Sequence, residues 1–290
     1  MKNILYITCI VSLFTSCRSE KLNFVLEKPP VISGNDYDPA CGADAYRSRG
    51  DNPHSCYYGH PNFYTLTTNE ALTLLSHFKT MQQTTEWSCG NTCALMVLQH
   101  FGKAATWNEY SLAEMMHSMT DSDIPGSLPG SAKKYADYGT RLEELYRFFS
   151  GQKGLKVVET SYRAAYTENE LVKPSDTYPV CDCGNLYPTF PSPASFASRL
   201  KEHLSQGHPV IAEWSDWDGH WVVIIGIDNN HTPDFTGDDI LIFADPYDTS
   251  DHWQDGYSIA PLERFFYSWK DRAIAPKPYQ LQPYLVIAEE

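Results

Sequence analysis

Residues 89 to 101 read Cys-Gly-Asn-Thr-Cys-Ala-Leu-Met-Val-Leu-Gln-His-Phe, and Gly102 follows. At helical spacing Cys93, Ala94, Leu95, Met96, Val97, Leu98 and Phe101 cover nearly every side of the segment. A helix that is apolar all round has no face to give to water, so it must lie at the centre of a fold. Ser88 stands where an N-cap is expected and Gly102 where the chain leaves the helix. A chain of 290 residues with 42% hydrophobic and 13% aromatic content can enclose such an element.

The elements around it change character along the chain. A short helix is predicted from Thr68 as N-cap through Ala71, Leu72, Leu74, Leu75 and Phe78. Further helices are predicted at 107–119, 140–150 and 194–205, with Pro/Gly/Ser-rich loops at 121–131 and 174–193. Then Pro209–Trp214, Trp221–Ile227, Ile240–Ala244 and Tyr284–Ala288 form Val- and Ile-rich runs bounded by Gly, Asp or Pro, which are strands. Helices first and strands later give an α+β protein rather than alternating βαβ units.

The first 17 residues read as an export signal: Lys2, an apolar run from Ile4 to Phe14, then Thr15-Ser16-Cys17. Cys17 after small residues resembles a bacterial lipobox, which implies lipidation there and a membrane anchor, at the periplasm or outer membrane. Residues 18–65 read as a tether and irregular extension, and 66–290 as the folded domain. In an exported chain a Cys41–Cys56 disulfide would staple that extension, and Cys181 and Cys183 sit in a Pro-flanked loop. A structural zinc site is the weaker alternative, because paired C-x-x-C spacing is lacking. The net charge of −14 and the absence of a Lys/Arg cluster argue against a nucleic-acid partner. No helix-spaced histidine pair or EF-hand spacing indicates a metal, and no cofactor is expected.

Chemistry concentrates at four residues. Cys89 opens the buried helix, where free N–H groups and the positive dipole end stabilise a thiolate. Those N–H groups, with the Gln83 side-chain amide, can donate to an oxyanion. Gly90 is expected to leave room for a substrate; Trp87, Gly219 and Trp221 are expected to line its cleft, with core packing the alternative for the tryptophans. His220 and Asp245 come together if the strands that carry them pair with 220 opposite 245 and 225 opposite 240, because opposed residues share one face. Asp245 would then orient His220 toward Cys89. Cys93 reads as a small core residue.

Gln83…Cys89-Gly90…Cys93…Met96, Gly207-His208-Pro209-Val210-Ile211, Gly219-His220-Trp221-Val222-Val223, Asp245-Pro246 and Phe265/Phe266…Trp269 together resemble the papain-like cysteine peptidases. The likeness is strongest to stand-alone relatives of the peptidase domains that cut double-glycine leaders, and it covers roughly 80–272. It implies a papain-like fold, with a helical lobe containing the nucleophile helix packed on an antiparallel sheet lobe. It also implies Cys89 as nucleophile, His220 as base and then acid, Asp245 as orienter and Gln83 in the oxyanion hole. The expected activity is hydrolysis of a peptide or protein substrate. Acyl transfer through the same triad and a catalytically idle binding lipoprotein remain the alternatives, and the oligomeric state is open.

Overall fold

The computed structural model describes residues 61–84, 87–118, 139–162, 190–214, 219–248, 255–270 and 282–290. The signal, the lipobox Cys17, the Cys41–Cys56 pair, Cys181, Cys183, Trp217 and the 121–131 loop lie outside them. The chain order is β1 (Leu72–Leu74), α1 (Cys89–His100), α2 (Glu109–Met115), α3 (Leu142–Ser150), β2 (Leu155–Thr160) and α4 (Pro193–Ser205). It continues with β3 (Val210–Trp214), β4 (His220–Asp228), β5 (Ile240–Ala244), β6 (Tyr257–Pro261), α5 (Leu262–Lys270) and β7 (Tyr284–Glu289). The strands form one antiparallel seven-stranded sheet in the order β2-β7-β3-β4-β5-β6, with β1 added to β4. This is the predicted α+β class.

The helix predicted from Thr68 is instead a strand. β4 is nine residues long, but β3 pairs with it only through Ile224, which leaves its last residues with an open edge. β1 fills that edge, pairing Leu72 with Asp228 and Leu74 with Gly226. Buried backbone groups must find partners, and this demand overrides helical spacing. Thr68 caps the strand rather than a helix: its hydroxyl accepts from the Leu74 N–H at 3.1 Å. β2 and β6 carry weak sequence patterns and were not anticipated. Each is an end strand of the sheet, with one edge that faces no other strand among the described residues.

The long helix is where the sequence puts it. From Cys89 to Leu98 every residue of α1 is buried, and the helix packs on β4 and α2. Gly102, at φ +66°, ends it; the Gly102 N–H donates to Gln99 O at 3.0 Å and the Lys103 N–H to Leu98 O at 2.7 Å. That pair of bonds is a Schellman stop, and the left-handed backbone at its centre favours glycine. α2 and α4 begin with reciprocal capping boxes, Asn108/Ser111 and Ser192/Ser195. α3 covers β2 and β7, while α4 and α5 pack together over β3. Phe196, Phe265, Trp269, Trp214 and Phe243 interlock between them. Burying each such side chain stabilises the fold by roughly 1.5–3 kcal/mol.

The β4–β5 register also differs from the predicted one. Val223 pairs with Ala244 and Ile224 with Phe243; after an irregularity Gly226 pairs with Ile242. Continued, this sets Asp245 opposite Val222 rather than His220. The offset is even, so the His220 and Asp245 side chains keep the same side of the pleat and meet diagonally. The irregularity at Ile225 is a bulge that the spacing alone does not reveal. The Ile225 carbonyl accepts from Leu75 N–H at 2.8 Å, which ties the bulge to the residue after β1.

A polar cluster fastens α4 to the far end of the sheet. Glu159 in β2 accepts from Arg199 Nε at 2.6 Å and from the Tyr284 hydroxyl at 2.9 Å, and His203 Nε2 lies 3.3 Å away. Partial burial raises the Glu159 carboxyl, but His203, Arg199 and Tyr284 outweigh that and hold it at about 2. A depressed carboxylate contributes stability that is present above its ordinary titration range and lost as pH falls through its folded value. Glu159→Gln should therefore lower the denaturation midpoint at neutral pH, and the deficit should shrink as pH falls from 4.5 to about 2. A deficit that stays constant over this acid limb would contradict the assignment.

Candidate active site

Cys89 is the first residue of α1, and His220 is the first residue of β4, the strand on which α1 packs. Asp245 follows β5 directly. Strand pairing thus brings two residues 25 apart in sequence together, and helix-on-sheet packing adds the third. His220 Nε2–H donates to Asp245 Oδ1 at 2.7 Å. With Nε2 engaged, Nδ1 is the ring nitrogen left for Cys89, whose thiol donates to Trp87 O at 3.9 Å. All three residues are buried.

Asp245 is held from several sides. Its Oδ1 also accepts from Tyr247 N–H at 2.9 Å, and Oδ2 accepts from the Ser258 hydroxyl at 3.0 Å. Its own N–H donates to Gly256 O at 2.8 Å, which extends the β5–β6 ladder. Burial raises the Asp245 carboxyl, but His220 and the donors on its oxygens prevail and hold it below the usual carboxylate range. Burial likewise lowers His220, but the Asp245 carboxylate and the Cys89 sulfur more than offset it and push the ring up to about 10. The pair therefore sits as imidazolium and carboxylate at neutral pH.

Gln83 lies in the segment before α1, and its backbone N–H donates to Pro246 O at 2.8 Å. One bond thus links the approach to α1 with the residue after Asp245. Both Gln82 and Gln83 are buried, so burial does not separate them. The Met81 N–H donates to Met96 Sδ at 3.1 Å, fixing the same segment to the middle of α1.

The expected cleft residues sit differently. A Cβ on Gly90 would come within 2.6 Å of Thr140 Cβ and 3.2 Å of Trp221 Cδ1, so Gly90 admits close packing against Thr140 and Trp221 rather than leaving room for a substrate. Trp221 is 2% exposed, and its Nε1–H donates to Thr140 O at 2.9 Å; its ring belongs to the core. Trp87 is also buried. Trp214 packs on Phe243 and Phe265. Gly219, at φ +135°, leads into β4. Beneath Gly90, Asn91 Oδ1 accepts from Ser118 Oγ at 2.7 Å and Thr140 Oγ1 at 3.0 Å.

Cys93 is fully buried, and its thiol donates to Trp221 O at 3.2 Å. Burial, then the neighbouring Cys89 and Asp245, push that thiol well up, as befits an inert core residue. Among the described residues Cys89 and Cys93 are free thiols. No group of three or more His, Cys, Asp or Glu side chains among them is arranged to hold a metal ion. No helix among them is long and apolar enough to cross a membrane.

Sequence reasoning did not find Ser258, Tyr247 or Glu109. Ser258 and Tyr247 reach Asp245 only through sheet pairing and a turn. Glu109 looks like any acidic residue in a first helical turn.

Residues 75–273 match the Peptidase_C39 like family, and the chain belongs to it. The matched span contains Gln83, Cys89, His220 and Asp245. The antiparallel sheet with its surrounding helices is compatible with a papain-like fold, and membership indicates a cysteine-peptidase-related function. No curated protein matches the chain.

The electrostatics carry a direct test. A base raised by a partner contributes stability that is complete below the ordinary imidazole range and is lost as pH rises toward about 10. Imidazole NMR signals of His220 should show a protonated ring from pH 6 to about 8, and Asp245→Asn should let burial win, so that the ring titrates below its ordinary value. A wild-type ring already neutral at pH 7 would contradict the ion pair.

Proposed function

We propose that the protein is a cysteine peptidase that uses Cys89, His220 and Asp245. The observation that carries the reading is the His220–Asp245 bond at 2.7 Å beside a thiol at the start of a buried helix. The Cys89 thiolate attacks the scissile carbonyl carbon and pushes the carbonyl electrons onto oxygen. That oxyanion accepts from first-turn N–H groups of α1 and from the Gln83 side-chain amide. As the intermediate collapses, the C–N bond breaks and imidazolium His220 gives its proton to the leaving amine. Neutral His220 then takes a proton from water, whose oxygen attacks the thioester; the acid leaves and the cysteine is regenerated. Asp245 keeps the ring oriented and its cation stabilised throughout.

In this reading α1 belongs to a helical lobe seated on the sheet lobe, and residues 66–290 form the catalytic domain. The chain is exported from a bacterial cytoplasm and tethered at Cys17, with a Cys41–Cys56 staple in the extension. Its substrate is a peptide or protein. Membership of the Peptidase_C39 like family supports peptide-bond chemistry.

Digestion of an unbiased peptide library, read by mass spectrometry, tests the reaction. Cys89→Ala should lower cleavage by ~10³-fold or more while thermal unfolding stays near wild type. Cleavage that survives in this variant would remove the proposal. Ligated products on adding amine acceptors would move the assignment to acyl transfer. If Cys89 in the wild type reacts with iodoacetamide no faster than a model thiol, the chain is a binding protein on a peptidase scaffold.

A further inference from the structure

Glu109, the first residue of α2, is completely buried, yet nothing in the reaction above uses it. Its Oε1 accepts from Thr84 N–H at 3.0 Å and from the Ser88 hydroxyl, and its Oε2 accepts from the Thr84 hydroxyl at 2.8 Å. A buried carboxylate is expensive unless its lone pairs meet donors, and here the Thr84 N–H, the Thr84 hydroxyl and the Ser88 hydroxyl donate to it. Thr84 and Ser88 both lie between Gln83 and Cys89. One carboxylate thus grips both ends of the segment that delivers the nucleophile.

The grip has a consequence for α1. Ser88 occupies the N-cap position, where a serine hydroxyl ordinarily accepts from an N–H of the first turn. No such side-chain cap is made here; the hydroxyl points to Glu109 instead. A capping hydroxyl would engage the backbone donors that an oxyanion needs. The carboxylate therefore does two things: it ties Thr84 and Ser88 to the start of α2, and it keeps Ser88 off the first-turn N–H groups.

We infer that Glu109 is a positioning residue of the active site, which holds the Gln83–Cys89 segment and diverts the Ser88 hydroxyl from capping α1 so that the helix donors stay open to the oxyanion. This rests on the reading of Cys89 as nucleophile. The role is geometric rather than one of charge. A glutamine amide can still accept from Thr84 N–H and Ser88 through its oxygen, while its NH₂ donates to the Thr84 hydroxyl.

The test compares Glu109→Ala, Glu109→Gln, Ser88→Ala and Glu109→Ala/Ser88→Ala in the full chain, at temperatures well below each melting point. A library peptide found to be cleaved serves as substrate. Glu109→Ala should lower kcat about tenfold or more with KM changed less than about twofold, because misplacement acts on the transition state. Iodoacetamide labelling of Cys89 at pH 7 should slow about fivefold in the same variant, as the helix start loosens around the sulfur. Glu109→Gln should restore most of both. The double variant should recover part of the lost kcat relative to Glu109→Ala, because it has no hydroxyl to cap the helix; a purely structural role would show no such coupling.

Wild-type kcat and labelling in Glu109→Ala would overturn the inference, and so would a double variant no faster than the single one. If Glu109→Ala does not fold, Glu109→Asp replaces it: the shorter carboxylate should lose Ser88 and lower kcat, and unchanged kcat there would equally overturn the proposal. Wild-type Cys89 that labels no faster than a model thiol, with cleavage unaffected by Cys89→Ala, would instead identify the nucleophile reading as the part that fails.

Discussion

β4 has to satisfy its backbone on both edges over nine residues, and no single neighbour is long enough to do so. β3 takes one edge up to Ile224, β1 takes the rest of that edge, and β5 pairs along the other from Val223. Three chain segments are thereby locked to one strand, and α1 packs across it. The first residue of that strand is His220. The placement of the imidazole is therefore set by the most constrained backbone in the protein, and Asp245 and Cys89 arrive on elements that this strand organises.

The charged groups make sense only inside that frame. A buried imidazolium and a buried carboxylate are each costly alone, and become tolerable as a pair whose remaining lone pairs are filled. Ser258 and the Tyr247 N–H do this for Asp245. Glu109 is a second buried carboxylate handled the same way, with Thr84 and Ser88 as donors. One carboxylate bonds His220, and the other bonds Thr84 and Ser88, just before Cys89. A backbone bond from Gln83 to Pro246 closes the circuit between them.

Legibility in the sequence follows how local each feature is. α1 and its stop at Gly102 rest on contacts within a few residues, and the pattern shows them. β3, β4, β5 and β7 are legible because both faces are largely covered and Val, Ile, Leu, Phe and Ala fill most of their positions. β1 was misread because three residues carry no period of their own; only the vacant edge of β4 makes them a strand. The β4–β5 register was displaced by two residues, although an isolated glycine, Gly226, inside a run of Val and Ile is the kind of mark that accompanies a bulge. Gly90 was read as an opening for substrate, whereas Thr140, 50 residues on, already occupies the adjacent space.

Taken alone, the amino-acid order determined a buried helix opening with Cys89, an α+β division of the chain, and a histidine and an aspartate at the ends of successive strands. These follow from side-chain periodicity and turn chemistry, which act over short stretches of chain. Tertiary structure decided which atoms meet: the diagonal His220–Asp245 contact, the retreat of Trp221 into the core, and the turning of Ser88 away from its own helix toward Glu109. Such choices depend on distant segments competing for the same edge, cavity or hydrogen bond, and that competition exists only once the chain has closed upon itself.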